Sequence, residues 1–215
     1  MRSDIFSGNY LFHLHTNFTD GLLTIPEYFE FAARNGVDRL IFLEHIRKNA
    51  SYLVEDFINT VSVASHEHDV PFSIGFEAKV LYDGMLDISP DHIECADVIG
   101  IAEHGTYENP DRLEESLSRA FQFYSSHFTH KDIVWVHPGL GFLKMDSVSI
   151  HCERVQRLLD LAVLHDVRIE LNLRYRSTWD CLVMQHNSAI IGLDSHDMSD
   201  LHTWLSEYSA NKDKV

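Results

Sequence analysis

The property that most constrains the fold of this chain is a rhythm. Short apolar runs alternate with longer amphipathic stretches along its 215 residues. The runs from Tyr10 to His15, Arg39 to Leu43, Phe72 to Phe76, Val98 to Ala102, Ile133 to Val136, Val167 to Leu171 and Ala189 to Leu193 have the length and the β-branched or aromatic content of strands. Between them the apolar residues recur at helical spacing. One predicted helix opens at Thr24 as N-cap, with Pro26 in its first turn, and stops at Gly36. Others run from about Leu53 to His66, Pro110 to near Phe128, Ser149 to His165, Trp179 to Gln185 and Ser199 to Ser209. The result is a series of βα units. No linker-like stretch or internal repeat divides the chain, so one domain over residues 1–215 is expected, with 45% hydrophobic content to fill its core.

Such alternation fits either a closed barrel or an open doubly wound sheet. The polar residues after the runs discriminate between them. His13 and His15 end the first run, His45 follows the second, Glu77 the third, His104 the fourth and His137 the fifth, while Asp194 and His196 follow the last. In a barrel all strand C-termini share one mouth, where these groups would converge, whereas an open sheet would spread them along an edge. A barrel is therefore predicted.

Neutral imidazole and carboxylate are ligands for zinc, manganese or iron, and two histidines two apart on a strand point to one face. His13 and His15 are thus expected to grip one ion. His66 and His68 have the same spacing at the end of a predicted helix, where residues two apart diverge, and are expected to face solvent. Glu77 has two oxygens with which to bridge a pair of ions, a recurrent device in phosphate-ester hydrolysis. Asp20, on the loop after the first run and beside Gly21, is a further candidate ligand.

Charge narrows the function classes. Lys and Arg number 17 against 33 Asp and Glu, a formal net charge of -16, the wrong sign for a chain that grips nucleic acid through its phosphates. Cys95, Cys152 and Cys181 are odd in number and widely spaced, which argues against a disulfide framework and for a reducing compartment. Residues Met1 to Ile5 lack a signal-peptide core, and no run approaches a membrane span, so a cytoplasmic location is expected.

Taken together, His13-x-His15, Asp20-Gly21, Glu44-His45, Gly75-x-Glu77, His104, His137-Pro138 and Asp194-x-His196 resemble the PHP (polymerase and histidinol phosphatase) superfamily. The resemblance spans residues 13–196 and implies a distorted (β/α)7 TIM-like barrel, a trinuclear centre of two or three divalent ions and phosphoesterase activity. Carried over by position, one ion takes His13, His15, Glu77 and Asp194. A second shares Glu77 and adds His104 and His137, and a third takes Asp20, His45 and His196. The residue before the second-run histidine is usually aspartate in this family; here it is Glu44, expected to orient His45 from behind. The expected reaction is attack of a metal-bound hydroxide on the phosphorus of a small phosphorylated substrate, with Glu77, His104, Asp194 and His196 at the catalytic core.

Cations near the predicted mouth are Arg47 and Lys48, Lys79, Arg174 and Arg176, and guanidinium forks suit phosphate oxygens. Arg174 and Arg47 rank first among them. His127, His130, His151, His165, His186 and His202 are expected at the surface, and the aromatic-rich helices are expected to pack on the barrel. Three functions fit these residues: a histidinol-phosphatase-like phosphomonoesterase, a phosphodiesterase or nuclease of the polymerase-associated kind, and a non-catalytic metal-binding domain. The complete ligand set and the acidic single domain favour the first.

Overall fold

The computed structural model describes residues 4–103, 109–145, 148–176 and 178–207. Its strands are β1 (Tyr10–Leu14), β2 (Arg39–Phe42), β3 (Glu44–Ile46), β4 (Phe72–Ser73), β5 (Gly75–Lys79), β6 (Val98–Ala102), β7 (Asp132–Trp135), β8 (Arg168–Asn172) and β9 (Ala189–Gly192). All named strand pairs are parallel, in a sheet ordered β1-β2-β4 and another ordered β3-β5-β6-β7-β8-β9. The predicted strand Phe72 to Phe76 is thus interrupted at Ile74 and continues to Lys79, and beyond the strand predicted to end at Leu43 a further one, β3, forms. At Leu43 the chain changes partners: its N–H donates to Leu14 on β1, and from Glu44 onward pairing passes to β5. The last strand bonds back towards the first, since Leu193 N–H donates to Phe12 O at 2.9 Å and Ser195 N–H to His13 O at 2.9 Å.

The helices are α1 (Ile25–Asn35), α2 (Val54–His68), α3 (Pro90–Cys95), α4 (Pro110–His127), α5 (Leu140–Met145), α6 (Val148–Leu164), α7 (Asp180–Val183) and α8 (Met198–Glu207). The punctuation expected for α1 is present. Thr24 is extended at the N-cap, Pro26 lies in the first turn, and Gly36 closes the helix at φ 65°. The side chain of Asn109 caps α4 by accepting from Asp111 and Arg112 N–H. α3 and α5 were not foreseen, being too short to show a period.

Both faces of the sheets are covered, as parallel sheets require. Leu11, Phe42, Phe76, Ile99, Ile101, Trp135 and Ile169 pack outward against the helices. Phe12, Ile41, Leu43, Val98, Ala102, Val134, Val136 and Ile190 form a second cluster on the opposite, inner side. Four histidines expected in solvent are not fully there, His165 and His186 being only partly exposed. His151 is 2% exposed beneath the Phe142 ring, centroids 5.4 Å apart, because it faces α5. His68 stacks on Phe29, while His66 is exposed. No helix among the described residues is long and apolar enough to cross a membrane, and Cys95, Cys152 and Cys181 are free thiols.

Candidate metal centre

Strict alternation would put His13 and His15 on the outer side of β1, with Leu11. The strand register breaks between Phe12 and Leu14, and His13 occupies the break at φ 67°. The extra residue shifts the phase, so Phe12 stays with the inner cluster, Leu14 turns out to the helix-facing core, and both imidazoles point inward. A similar turn occurs after β7: Val136 belongs to the inner cluster, and His137, at φ 33°, still swings towards Glu77 on the inner side. Asp194, just past β9, also has a positive φ, 52°. Left-handed backbone at non-glycine residues costs on the order of 1–3 kcal/mol each, and it persists where surrounding structure holds it. Three of the predicted ligands carry it.

These turns bring the predicted residues together. Glu77 Oε1 lies 2.7 Å from His137 Nε2, and Glu77 Oε2 lies 2.9 Å from His45 Nδ1 and 3.5 Å from Nε2 of both His13 and His15. Asp194 Oδ1 is 3.3 Å from His15 Nε2, 3.5 Å from His196 Nδ1 and 3.8 Å from His13 Nε2. On the outer rim Asp20 reaches His45 Nε2 at 3.3 Å and His196 Nε2 at 3.5 Å. Two groups of potential ligand atoms each fall within 4.8 Å of one another: His13, His15 and Glu77, and His15, Asp20, His45 and His196. The His15 ring joins them, stacked at 4.3 Å on His45 and 4.5 Å from His196. Gly21 turns the loop that carries Asp20, where any Cβ would come within 2.3 Å of His15 O. His104 lies outside the described residues.

Three fully buried carboxylates surround the cluster. Glu44 accepts from Thr16 N–H at 3.0 Å, from Thr16 Oγ1 at 2.6 Å and from Thr19 Oγ1, anchoring the loop that leads to Asp20. The sequence suggested that it orients His45; its hydrogen bonds to Thr16 and Thr19 instead hold the loop after β1. Glu103 accepts from Trp135 Nε1 and from Gly139 and Gly141 N–H, at 2.7 to 2.9 Å, and so fixes the segment after His137. Glu170 accepts from His13 Nδ1 and from His137 N–H, both at 2.6 Å. Glu103 and Glu170 were missed. The available signal for Glu170 was the alternation of Arg168, Glu170 and Asn172 in β8, which also reads as a solvated strand face.

The electrostatics fit a cation. Burial alone would lower the pKa of His13, yet Glu170 and Asp194 beside it hold it well above its ordinary value. The same contest, won by Glu77, raises His45 and His137. His15 is pulled down to about 4 by burial, with the adjoining imidazoles adding to the effect, and is neutral at pH 7. Burial pushes Asp194 up, but His13 and His15 hold it far below the usual carboxylate range. The carboxylates therefore demand positive charge, which protons on the imidazoles supply in part. Nε2 of His13 and both ring nitrogens of His15 are buried without a hydrogen bond among the described residues, which a bound ion would remedy.

The cluster forms the floor of a cavity of about 550 Å³ whose walls include Thr19, Arg47, Asn49, Ser51 and Tyr175. Of the predicted phosphate-binding cations only Arg47 lines it. Its guanidinium sits 3.8 Å from Asp87 and is 45% exposed, so it retains donors for a ligand. Arg174 is turned away, with Nη1 3.0 Å from Asp200 and 3.4 Å from Asp194 O. Lys79 is half-buried at the end of β5 and Arg176 is exposed, and neither is among the cavity-lining residues.

By sequence the chain matches no family model and no curated protein. By structure it is similar to hisK of Listeria monocytogenes, provisionally assigned as a histidinol phosphatase: TM-score 0.61 at 14% identity, covering 93% of this chain and 100% of that one. It is also similar to an HpcH/HpaI aldolase from Desulfitobacterium hafniense DCB-2, with TM-score 0.51 at 12% identity over 98% and 94% of the two chains. The shared property is the fold. It is the α/β architecture of TIM-barrel-like enzymes.

Proposed function

We propose that this chain is a metal-dependent phosphoesterase that hydrolyses a small phosphomonoester, and that its strands form a distorted seven-stranded barrel around the site. One observation carries the proposal: residues from β1, β3, β5 and the segments after β7 and β9 converge on Glu77 and Asp194 at the floor of one cavity. We assign His13, His15, Glu77 and Asp194 to one ion, and Asp20, His45 and His196 to another with His15 beside them. Glu77, His137 and His104 would hold a third. When bound, zinc, manganese or iron ions would supply Lewis acidity towards water and phosphate oxygens.

The chain's own groups do the rest. Glu77 directs its two oxygens to different imidazoles, so it would be able to serve two ions. His196 donates Nδ1–H to Asp194 O at 2.9 Å, leaving Nε2 towards Asp20 and the cavity. Asn172 Nδ2 donates to Asp194 Oδ2 at 3.3 Å and keeps that carboxylate in place. Arg47 on the wall is the first candidate to meet non-bridging phosphate oxygens. Catalytic roles fall to Glu77, Asp194, His196 and His104. The fold of hisK is consistent with this chemistry, and the aldolase fold shows that the architecture alone does not fix it.

The test is a panel of phosphomonoesters and phosphodiesters offered to protein reconstituted with zinc, manganese or iron. Turnover of monoesters above diesters supports the proposal. Preference for diesters would transfer the site to the phosphodiesterase class, and no turnover with any ion would leave a binding domain.

A further inference from the structure

We propose that Glu170 is a positioning residue of the metal centre, which fixes the tautomer of His13 and the backbone of His137 so that both imidazoles meet the ions in one geometry. This role rests on His13 and His137 being ligands. Glu170 sits on the inner side of β8, fully buried, with three donors on its two oxygens: His13 Nδ1 at 2.6 Å, His137 N–H at 2.6 Å and Asn172 Nδ2 at 3.0 Å. Backbone N–H of His137 and the Asn172 amide can only donate, and both go to Oε2, which leaves Oε1 for His13 Nδ1. A proton held on His13 Nδ1 by Glu170 would leave Nε2 as the ligand atom, and Nε2 is the nitrogen that faces Glu77 Oε2 and Asp194 Oδ1.

His13 and His137 share a positive φ, and both reach their inward orientation by departing from regular strand geometry. One carboxylate therefore ties together two unfavourable turns on β1 and after β7. Asn172 extends the link, since its Nδ2 contacts both Glu170 and Asp194. The carboxylate has a prepared socket at Gly192 on β9, where an ideal Cβ would lie 1.7 Å from Glu170 Oε1. Any side chain there displaces Glu170. Glutamine at position 170 would fill the space but turn an amide N–H₂ towards one of the three donors.

The role is tested by zinc affinity in chelator competition, with Glu170→Gln and Gly192→Ala beside the wild type. Weakening by about 10–100-fold in both variants, with circular dichroism retained, is expected from loss of a carboxylate behind a metal-bound histidine. Unchanged affinity in a folded Glu170→Gln protein would overturn it. If both variants fail to fold, long-range ¹H–¹⁵N correlation on zinc-loaded wild type decides: a proton on Nδ1 of His13 supports the role, and a bare Nδ1 overturns it. A wild-type chain that takes up no zinc would remove the metal centre itself, an outcome separable from a metal site indifferent to Glu170.

Discussion

Glu77 Oε1 lies 2.7 Å from His137 Nε2, although 60 positions separate the two residues in sequence. The contact exists because β5 and β7 flank β6 and because His137 takes a positive φ just past its strand. With Oε2 directed at His45, His13 and His15, one carboxylate serves imidazoles on both sides of the cluster.

That geometry makes Glu77→Gln the most damaging conservative change. The variant should keep its far-ultraviolet circular dichroism but lose at least one equivalent of metal and about 10²-fold or more in turnover, since an amide would not offset the charge of the ions proposed beside Glu77. Elemental analysis beside a phosphatase assay checks both.

Metal removal should lower stability as well as activity. Ions at about 100 times their Kd stabilise the native state by roughly 2.7 kcal/mol, which for a chain of this size corresponds to about 5–10 °C in Tm. Thermal melts before and after chelation, and again after zinc or manganese is restored, should show that difference and its recovery. A Tm indifferent to chelator would count against tight binding.

Arg47 and Arg174 should behave differently. Arg47→Ala is expected to raise KM about tenfold with metal content unchanged, because its guanidinium stands on the cavity wall. Arg174→Ala is expected to change KM less, since Arg174 is engaged by Asp200. Steady-state kinetics of the two variants on one phosphomonoester compares them directly.

Much of this was legible in the sequence, for physical reasons that also explain what was not. All the predicted strands but Phe72 to Phe76 appear within a residue of their expected positions because alternation of apolar runs survives in any parallel sheet, while β3 and the extension of β5 to Lys79 carry the ligand-type residues themselves and broke the apolar pattern; Thr24, Pro26 and Gly36 punctuate α1 as capping chemistry dictates. The histidines and carboxylates that converge were readable because they sit past those runs, and the structure gathers all of them that it describes into one cluster. The bulge at His13 and the left-handed turn at His137 were not, since no residue type announces them. Glu170 was hidden by its own pattern. A polar residue alternating with apolar ones in β8 reads as facing water, and only the sheet arrangement reveals that this side faces the cluster of histidines and carboxylates.

Glu44 carries a pH dependence. Burial raises its pKa from 4.5 to about 7 against the opposing hydrogen bonds from Thr16 and Thr19. A raised folded-state value means that the stability present below pH 4.5 is lost as pH climbs through about 7. Metal-free wild type should therefore lose on the order of 1–3 kcal/mol relative to Glu44→Gln between acidic and mildly basic pH. Urea melts of both proteins across that range would show the gap close or reverse in this direction; a gap independent of pH would contradict it.

The most direct test is elemental analysis of the purified protein, paired with phosphomonoester hydrolysis before and after chelation. Two or three equivalents of zinc, manganese or iron, with activity lost on chelation and regained on adding the ion, is the expected result. A protein that carries no metal, binds none when it is supplied, and hydrolyses no phosphomonoester in its presence would contradict the assignment of this site.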